Sequence, residues 1–343
     1  MREVALARSA ALAAEARPLR LGFAGLGWIG LNRLDALLAT DAAEAAAVFD
    51  PSDSAAEAVL ARSASAQRVA AYEDLLALDL DGIVIATPSA LHARQAIQAL
   101  EAGKAVFCQK PLGRSAAEVE AVLAAARQAN RRLGVDMSYR HTRGMQRIRD
   151  LMVRGEIGEV HAVDLTFHNA YGPDKPWFYD PALSGGGCVM DLGVHLVDLA
   201  LWALGPAGVT EVSSDLFAGG RRLAKPSDQT EDFALATLRL DSGAVVRLAC
   251  SWNLPAGQDA VIAADFYGAR GGLALRNVGG SFYDFEALRF RGTVTERLVS
   301  PPDAWGGRAA QDWLARLAQS PDFDPEIVAV ADVARCLDRL YGR

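Results

Sequence analysis

The chain has 343 residues, of which 51% are hydrophobic and 22% are charged, and its formal net charge is -7 at pH 7. This length predicts two domains with a sizeable core. The acidic balance argues against nucleic acid as a partner, because such proteins normally carry a basic excess or a basic stripe. Four widely spaced cysteines without a CxxC pair argue against a disulfide framework or a zinc cage.

The N-terminal segment is rich in alanine but is interrupted by charged residues, among them Arg8 and Glu15. A signal peptide needs an uninterrupted apolar run, so residues 1–18 are interpreted as a helical or disordered arm. We expect no membrane span, since no apolar run approaches the ~20 residues that one requires. The resulting expectation is a cytoplasmic protein without membrane contact.

Residues 20–137 alternate between short apolar runs and amphipathic helical stretches. The runs LRLGFAG, AAAVFD, IVIATPS and AVFCQKP are typical of strands. One of the helices is predicted to begin after Ser115, with Glu118 three residues later, as in a capping box. Strands that alternate with helices predict a parallel sheet covered on both faces.

The pattern changes after that region. Strand-like stretches separated by glycine-containing turns indicate antiparallel hairpins. They are accompanied by a long helical stretch over 187–205 and by two more near 307–319 and 325–341. We therefore predict an α/β domain over 19–137 and an α+β domain over 138–343, the latter a largely antiparallel open sheet with helices on one face.

A glycine motif, GLGWIG, follows the first predicted strand and opens the first helix. In this context GxGxxG is typical of a Rossmann dinucleotide-binding domain. Gly25 would allow a tight turn, Gly27 would let the backbone approach a pyrophosphate, and Gly30 would allow close helix–strand packing. The helix start around Trp28 and Ile29 would offer unpaired N–H groups to the phosphates.

An acidic residue, Asp50, ends the second predicted strand 20 residues after Gly30. A carboxylate at this position can accept hydrogen bonds from both ribose hydroxyls. A 2′-phosphate would meet Asp50 and Asp53 with no adjacent arginine, which favours NAD over NADP. Arg62 or Arg68 would weaken this preference by folding back.

Taken together, these motifs resemble the Gfo/Idh/MocA oxidoreductases, a family that includes glucose–fructose oxidoreductase and inositol dehydrogenases. The resemblance covers about residues 19–340. Besides the glycine motif, it is carried in chain order by Thr87-Pro88-Ser89 with His92, Gly103–Val106, Cys108-Gln109-Lys110-Pro111, Ser138-Tyr139-Arg140, Gly155–Gly158, and Gly185-Gly186-Gly187 with Asp191 and His195.

The resemblance implies a dehydrogenase that transfers a hydride between NAD(P) and a CH–OH carbon of a sugar, inositol or related polyol. It implies a cofactor loop at Thr87 and Pro88, with His92 beside it. In place of the family's usual Glu before Lys-Pro, this chain has Gln109, assigned with Lys110 to the cofactor site. The Gln keeps the shape of a Glu but removes a negative charge beside Lys110.

A predicted helix over 188–202 is apolar almost all round, apart from Asp191, His195 and Asp198. Their spacing would place these polar side chains on one face, so they need partners or a cleft. Histidine can take a hydroxyl proton near neutral pH, and with the family match His195 is assigned as general base. Lys110 would stabilise developing alkoxide charge, and Asp191 would orient His195 or bind a neighbouring hydroxyl. Asp198 is interpreted as structural.

Other residues are weaker candidates for the substrate site: Arg140, His168, Lys175 and the loop aromatic Trp177, whose ring would form a sugar platform or simply pack the loop. No histidine spacing indicates a metal site.

Three functions remain open from the sequence: the polyol dehydrogenase, a glycosidase that cycles a tightly held NAD, and a non-catalytic cofactor-sensing regulator. The preserved Lys110, Asp191 and His195 favour the first. The expected partners are a small sugar or polyol and further copies of the chain, as a homodimer or homotetramer.

Overall fold

A computed structural model describes residues 17–63, 65–205 and 207–343. The predicted arm therefore lies almost entirely outside the described residues. The N-terminal part is a six-stranded parallel sheet in the order β3-β2-β1-β4-β5-β6. Its strands are β1 Leu19–Ala24, β2 Ala43–Phe49, β3 Gln67–Arg68, β4 Gly82–Ile85, β5 Ala105–Cys108 and β6 Leu133–Val135. The helices between them are α1 Trp28–Leu38, α2 Asp53–Leu60, α3 Tyr72–Ala77, α4 Ser89–Glu101 and α5 Ala116–Ala129.

This strand order reverses direction between β1 and β4, which pair in parallel. β4 and β5 are buried along their whole length, as expected for parallel strands covered by helices on both faces. In open α/β sheets, ligands bind beyond the carboxyl ends of the strands at such a reversal. The predicted Rossmann domain is confirmed, and its switch point fixes where a ligand site would form.

The second part is a nine-stranded sheet in the order β15-β14-β13-β12-β7-β11-β10-β8-β9. All its pairs are antiparallel except β7 with β11, which confirms the largely antiparallel sheet. Its strands are β7 Val160–Asn169, β8 Val209–Ala218, β9 Arg221–Arg222, β10 Phe233–Leu240, β11 Val245–Ser251, β12 Ala260–Gly268, β13 Gly271–Asn277, β14 Phe285–Arg291 and β15 Val294–Val299.

One face of this sheet carries the core. In β7 the side chains of Val163, Leu165 and Phe167 are buried, and the residues between them are more accessible. Such alternation is typical of a sheet with one covered and one open face. The helices of this part are α6 Arg143–Val153, α7 Pro181–Ser184, α8 Val194–Leu204, α9 Arg308–Gln319 and α10 Val330–Tyr341.

The penultimate helix, α9, corrects the predicted division of the chain. The sequence assigned it to the second domain, but its Trp313 packs in the core of the first sheet, 5.6 Å from the Phe107 ring. Gly134 makes room for the indole, since a Cβ there would lie 2.6 Å from Trp313 Cδ1. The chain thus returns to the first sheet before its last helix, α10, packs against α5 of the first part and against α8 and β8 of the second.

The segment Pro181–Leu204 has the length and mean hydropathy, 1.5, of a membrane span, contrary to the expectation from the sequence. However, 78% of its most apolar window is buried inside the protein. It is therefore the central core helix of the second part. Its turn Val189–Gly193 is π-helical, a local widening that is frequent at functional sites.

Candidate active site

A cleft of about 530 Å³ opens where the first sheet meets the second part of the chain. Its walls come from the glycine loop, the segments after β4 and β5, the loop before α7 and the π-helical turn. Of the sequence-predicted site residues, those that line the cleft are Gly27, Trp28, Ile29, Thr87, Pro88, His92, Gln109, Lys110, Lys175, Trp177, Asp191 and His195.

The three motif glycines have three distinct surroundings. Gly25 has a φ of +87°, and a Cβ there would lie 2.5 Å from the Ala86 backbone. A Cβ on Gly30 would lie 2.0 Å from Gly25 O, whereas one on Gly27 would meet nothing within 4 Å. Gly27 therefore leaves its backbone open at a helix start, where a pyrophosphate fits.

Asp50 lies behind the glycine loop and supports it. Its Oδ2 accepts a hydrogen bond from the Leu26 N–H at 2.7 Å, and its Oδ1 accepts one from the Ser52 N–H at 2.8 Å. Each carboxylate oxygen keeps a second lone pair for a ribose hydroxyl. Of the two arginines considered, Arg62 pairs with Asp35, whereas Arg68 pairs with Asp53, one of the two carboxylates expected near a 2′-phosphate. The preference for NAD over NADP stays a prediction.

His92 bridges two of the loops that form the cleft. Its Nδ1 lies 2.7 Å from the Pro111 carbonyl oxygen and its Nε2 lies 2.6 Å from the Thr87 carbonyl oxygen. Burial lowers the pKa of His92, while the two carbonyl contacts act in the opposite direction. The predicted cofactor loop and the Lys-Pro segment are thereby tied together.

Lys110 and Asp191 are joined across the cleft. Lys110 Nζ donates to Asp191 Oδ1 at 2.7 Å and to the Asp191 carbonyl oxygen at 2.8 Å. The other carboxylate oxygen, Oδ2, accepts from Trp252 Nε1 at 3.1 Å. Asp191 therefore orients Lys110, and the structure records no hydrogen bond from Asp191 to His195. The structure does not bear out the predicted orientation of His195 by Asp191, since the carboxylate contacts Lys110 and Trp252 instead. Binding of a neighbouring substrate hydroxyl by Asp191 stays a prediction.

His195 follows the π-helical turn and is 6% exposed. The Tyr139 ring packs edge-on against it at 4.8 Å, and among the described residues its Nδ1 has no hydrogen-bond partner. Burial lowers the pKa of His195 well below its usual value, and the positive charges of Lys110 and Arg33 add to this effect. Each of these effects favours the neutral imidazole over the protonated one.

Two predicted substrate contacts lie away from the cleft. Arg140 forms a two-point ion pair with the buried Asp198, with Nε donating to Oδ2 at 2.7 Å. His168 is on the open face of the second sheet, where its Nδ1 lies 2.8 Å from Ser251 Oγ and its ring stacks on Phe233. Strand alternation explains the second error, since His168 points opposite to its buried neighbour Phe167.

The triple glycine before the π-helical turn is explained by residues that the sequence analysis missed. A Cβ on Gly186 would lie 2.0 Å from Tyr341 Oη, and one on Gly187 would lie 1.9 Å from Glu231 O. The buried Glu231 carboxylate accepts the N–H groups of Gly187 and Val189 and the Tyr341 hydroxyl. No motif in the sequence signals Glu231, because its partners are distant in the chain.

Several aromatic side chains line the cleft. Trp177 stacks on Phe178 with ring centroids 3.8 Å apart, and Tyr283 and Trp305 are also among the lining residues. Trp28, at the start of α1, is 68% exposed. Among the described residues, no group of three or more His, Cys, Asp or Glu side chains is arranged to hold a metal ion.

Two family models match the chain in succession. Residues 19–137 match the oxidoreductase family with a NAD-binding Rossmann fold, and residues 145–274 match the GFO/IDH/MocA C-terminal domain.

Individual proteins agree with these matches. The chain is 34% identical over 249 residues, 68% of each chain, to a candidate UDP-kanosamine synthase oxidoreductase subunit of Amycolatopsis mediterranei (strain S699). It is 29% identical over 262 residues, 76% of each chain, to an inositol 2-dehydrogenase of Rhizobium meliloti (strain 1021). The solved structure of KijD10, a 3-ketoreductase from Actinomadura kijaniata, superposes with a TM-score of 0.79 at 22% identity, covering 94% of this chain and 97% of that one.

Proposed function

The chain belongs to the GFO/IDH/MocA oxidoreductase family, and we propose that it transfers a hydride between NAD(P) and a hydroxyl carbon of a sugar, inositol or related polyol. The observation that carries the proposal is the meeting of Lys110, Asp191 and His195 in a cleft that also contains the open Gly27 backbone. A proton-accepting group and a cationic group then face the same space as the dinucleotide loop.

The residues present fit a bound dinucleotide. The pyrophosphate would lie on the Gly27 backbone at the start of α1, and Asp50 would accept from the ribose. When bound, the nicotinamide supplies the hydride acceptor or donor. The chain's own groups must then handle the proton and the charge on the substrate oxygen.

The two facing groups divide this work. In the oxidation direction, His195 accepts the hydroxyl proton, which its neutral state allows. The Lys110 ammonium stabilises negative charge that develops on the same oxygen. Asp191 holds Lys110 by two hydrogen bonds from one amine, so that little reorganisation is needed as the charge forms. In the reduction direction His195 acts as the acid.

The substrate class is supported by the cleft and by the relatives. Stacked aromatic rings such as Trp177 on Phe178 offer an apolar face to the C–H groups of a sugar ring. The relatives include an inositol 2-dehydrogenase and a 3-ketoreductase. We therefore infer a ring polyol or sugar as substrate.

Absorbance at 340 nm, measured with NAD or NADP and a panel of sugars and inositols, tests the proposal. We expect NADH or NADPH to accumulate with at least one polyol. A glycoside that is cleaved with no accumulation of reduced cofactor would instead indicate internal redox cycling. Cofactor binding without turnover of any polyol or glycoside would contradict the proposal.

A further inference from the structure

A buried chain of polar contacts links the start of the cofactor site to Lys110. Arg33 Nε, on α1, donates to Asp136 Oδ2 at 2.5 Å. Gln109 Nε2 donates to the same oxygen at 2.9 Å, and Gln109 Oε1 accepts from the Lys110 N–H at 3.0 Å. The Asp136 side chain is 0% exposed and that of Arg33 is 6% exposed.

The orientation of the Gln109 amide is fixed by these contacts. Asp136 Oδ2 is an acceptor and needs donors, which the Gln109 amide nitrogen and Arg33 Nε supply. The backbone N–H of Lys110 needs an acceptor, which the Gln109 carbonyl oxygen supplies. A Glu at position 109 could still accept from the Lys110 N–H. Its carboxylate would, however, face the Asp136 carboxylate, and the two would repel each other.

The balance of charge in this buried group also favours a neutral side chain at position 109. Removing water from a charge is costly unless the charge is paired, and Arg33 and Asp136 pair almost out of contact with solvent. With Gln109 neutral, this pair balances, and the Lys110–Asp191 pair balances separately. A Glu at position 109 would leave the buried group with an excess negative charge.

We propose that Gln109 and Asp136 are positioning residues: Asp136 supplies a buried carboxylate paired with Arg33, and Gln109 transmits its position to Lys110. The proposal rests on the proposed function for its kinetic readout. Both residues act through Lys110 and Arg33, which line the cleft.

A charge exchange tests this pairing directly. Gln109→Glu places a carboxylate within hydrogen-bond distance of Asp136, so one of the two must take up a proton. In the double variant Gln109→Glu with Asp136→Asn, the new carboxylate at position 109 takes over the negative charge that balances Arg33, and the neutral Asn no longer repels it. The net charge of the double variant equals that of the wild type.

The expected results follow from this exchange of charge. Gln109→Glu should lower kcat/KM and weaken NADH binding by about tenfold or more, because a small displacement of Lys110 and Arg33, which line the cleft, is enough for a loss of this size. Because Arg33 and residue 109 meet the same atom of residue 136, the Asn can serve only one of them, so the double variant should recover part of the loss and not all of it. Gln128→Glu, the same change on the exposed face of α5, should change neither quantity.

The pH profile gives a readout that a merely structural role would not change. The titratable and charged groups around Asp136 are Arg33, Cys108, His141 and, through Gln109, Lys110. Asp136→Asn leaves the Arg33 charge unopposed, and this charge disfavours protonation of His195. The acid limb of the kcat profile should therefore move to lower pH in Asp136→Asn and return in the double variant.

Fluorescence titration with NADH and the thermal midpoint of each variant separate this inference from the proposed function. If no polyol is turned over, the proposed function fails. A gain in NADH affinity and in thermal stability from Gln109→Glu to the double variant would still support the positioning role of Gln109 and Asp136. A Gln109→Glu variant that matches the wild type in affinity and midpoint would overturn it. A double variant whose losses in affinity and midpoint equal the sum of those of the two single variants would also overturn the positioning role.

Discussion

Lys110 and Asp191 meet through one amine and two oxygens, with Nζ 2.7 Å from the Asp191 carboxylate and 2.8 Å from the Asp191 carbonyl. Lys110 follows β5 at the carboxyl edge of the first sheet. Asp191 lies in the π-helical turn of the core helix. Each side chain is less than one-fifth exposed. The two parts of the chain are thus joined at the point where the chemistry is proposed to occur.

Asp191→Asn removes the charge that holds Lys110 while keeping the size of the side chain. We expect kcat to fall about a hundredfold, the range seen when one oriented electrostatic contact to a transition state is lost. NADH affinity should change little, because the glycine loop is untouched. Asp164→Asn, which breaks an exposed ion pair with Arg247, is the matched control and should keep full activity.

The burial of His195 predicts how the rate of polyol oxidation depends on pH. Burial lowers its pKa below 6.5, so the neutral base persists to more acidic pH than for a free histidine. The rate of polyol oxidation should therefore stay level as the pH falls through 6.5 and decline only as the pH passes through the lowered pKa. A decline centred at or above pH 6.5 that disappears in His195→Ala would contradict this assignment.

The same group affects stability with a definite sign. Its folded pKa is lower than its unfolded pKa, so the unfolded chain binds more protons between the two values. The contribution of His195 to stability is complete above pH 6.5 and is lost as the pH falls toward the folded pKa. In His195→Asn the slope of the free energy of unfolding against pH should be smaller over this window, as measured by urea denaturation. An unchanged slope would exclude His195 as its source.

Two glycine substitutions should separate binding from folding. Gly27→Ala meets no atom within 4 Å, so the thermal midpoint should hold while NADH affinity falls at least about tenfold, because the methyl group occupies the pyrophosphate surface. Gly30→Ala places its Cβ 2.0 Å from Gly25 O and should lower the midpoint itself. Equal midpoints for the two variants would contradict the assigned roles.

Glu231→Ala tests the support of the π-helical turn. The substitution leaves the N–H groups of Gly187 and Val189 without their carboxylate, and each unsatisfied buried group costs about 1–3 kcal/mol. Chemical denaturation should show a loss of at least this size. Glu120→Ala, which breaks an exposed ion pair with Arg335, should cost less than about 1 kcal/mol. Similar losses for both would show that the turn does not depend on Glu231.

Local patterns were sufficient to predict the cofactor domain. The glycine motif, the alternation of strands and helices and Asp50 all involve residues close in sequence or at fixed offsets, and the structure places them at one sheet edge. The second sheet was also predictable from its hairpins. The return of α9 to the first sheet was not, because an amphipathic pattern gives a helix's apolar face without saying which sheet it covers.

The errors at the site have a common physical origin. The i, i+4 spacing of Asp191 and His195 predicted a pair, but Lys110 and Trp252 take the carboxylate from distant segments. Arg140, a candidate for the substrate site, is taken up by Asp198, which the sequence had marked as structural. Partners that come from far along the chain, including Asp136 for Gln109, are decided by tertiary packing and leave no local signal.

The most direct test of the account is the fate of the hydrogen on the reacting carbon. The polyol found to reduce NAD would be labelled with deuterium at its hydroxyl-bearing carbons, and the NADH formed would be analysed by mass spectrometry. We predict that the NADH carries one deuterium and that His195→Ala abolishes its formation while still binding NADH. Unlabelled NADH, or full turnover by His195→Ala, would contradict direct hydride transfer assisted by this residue.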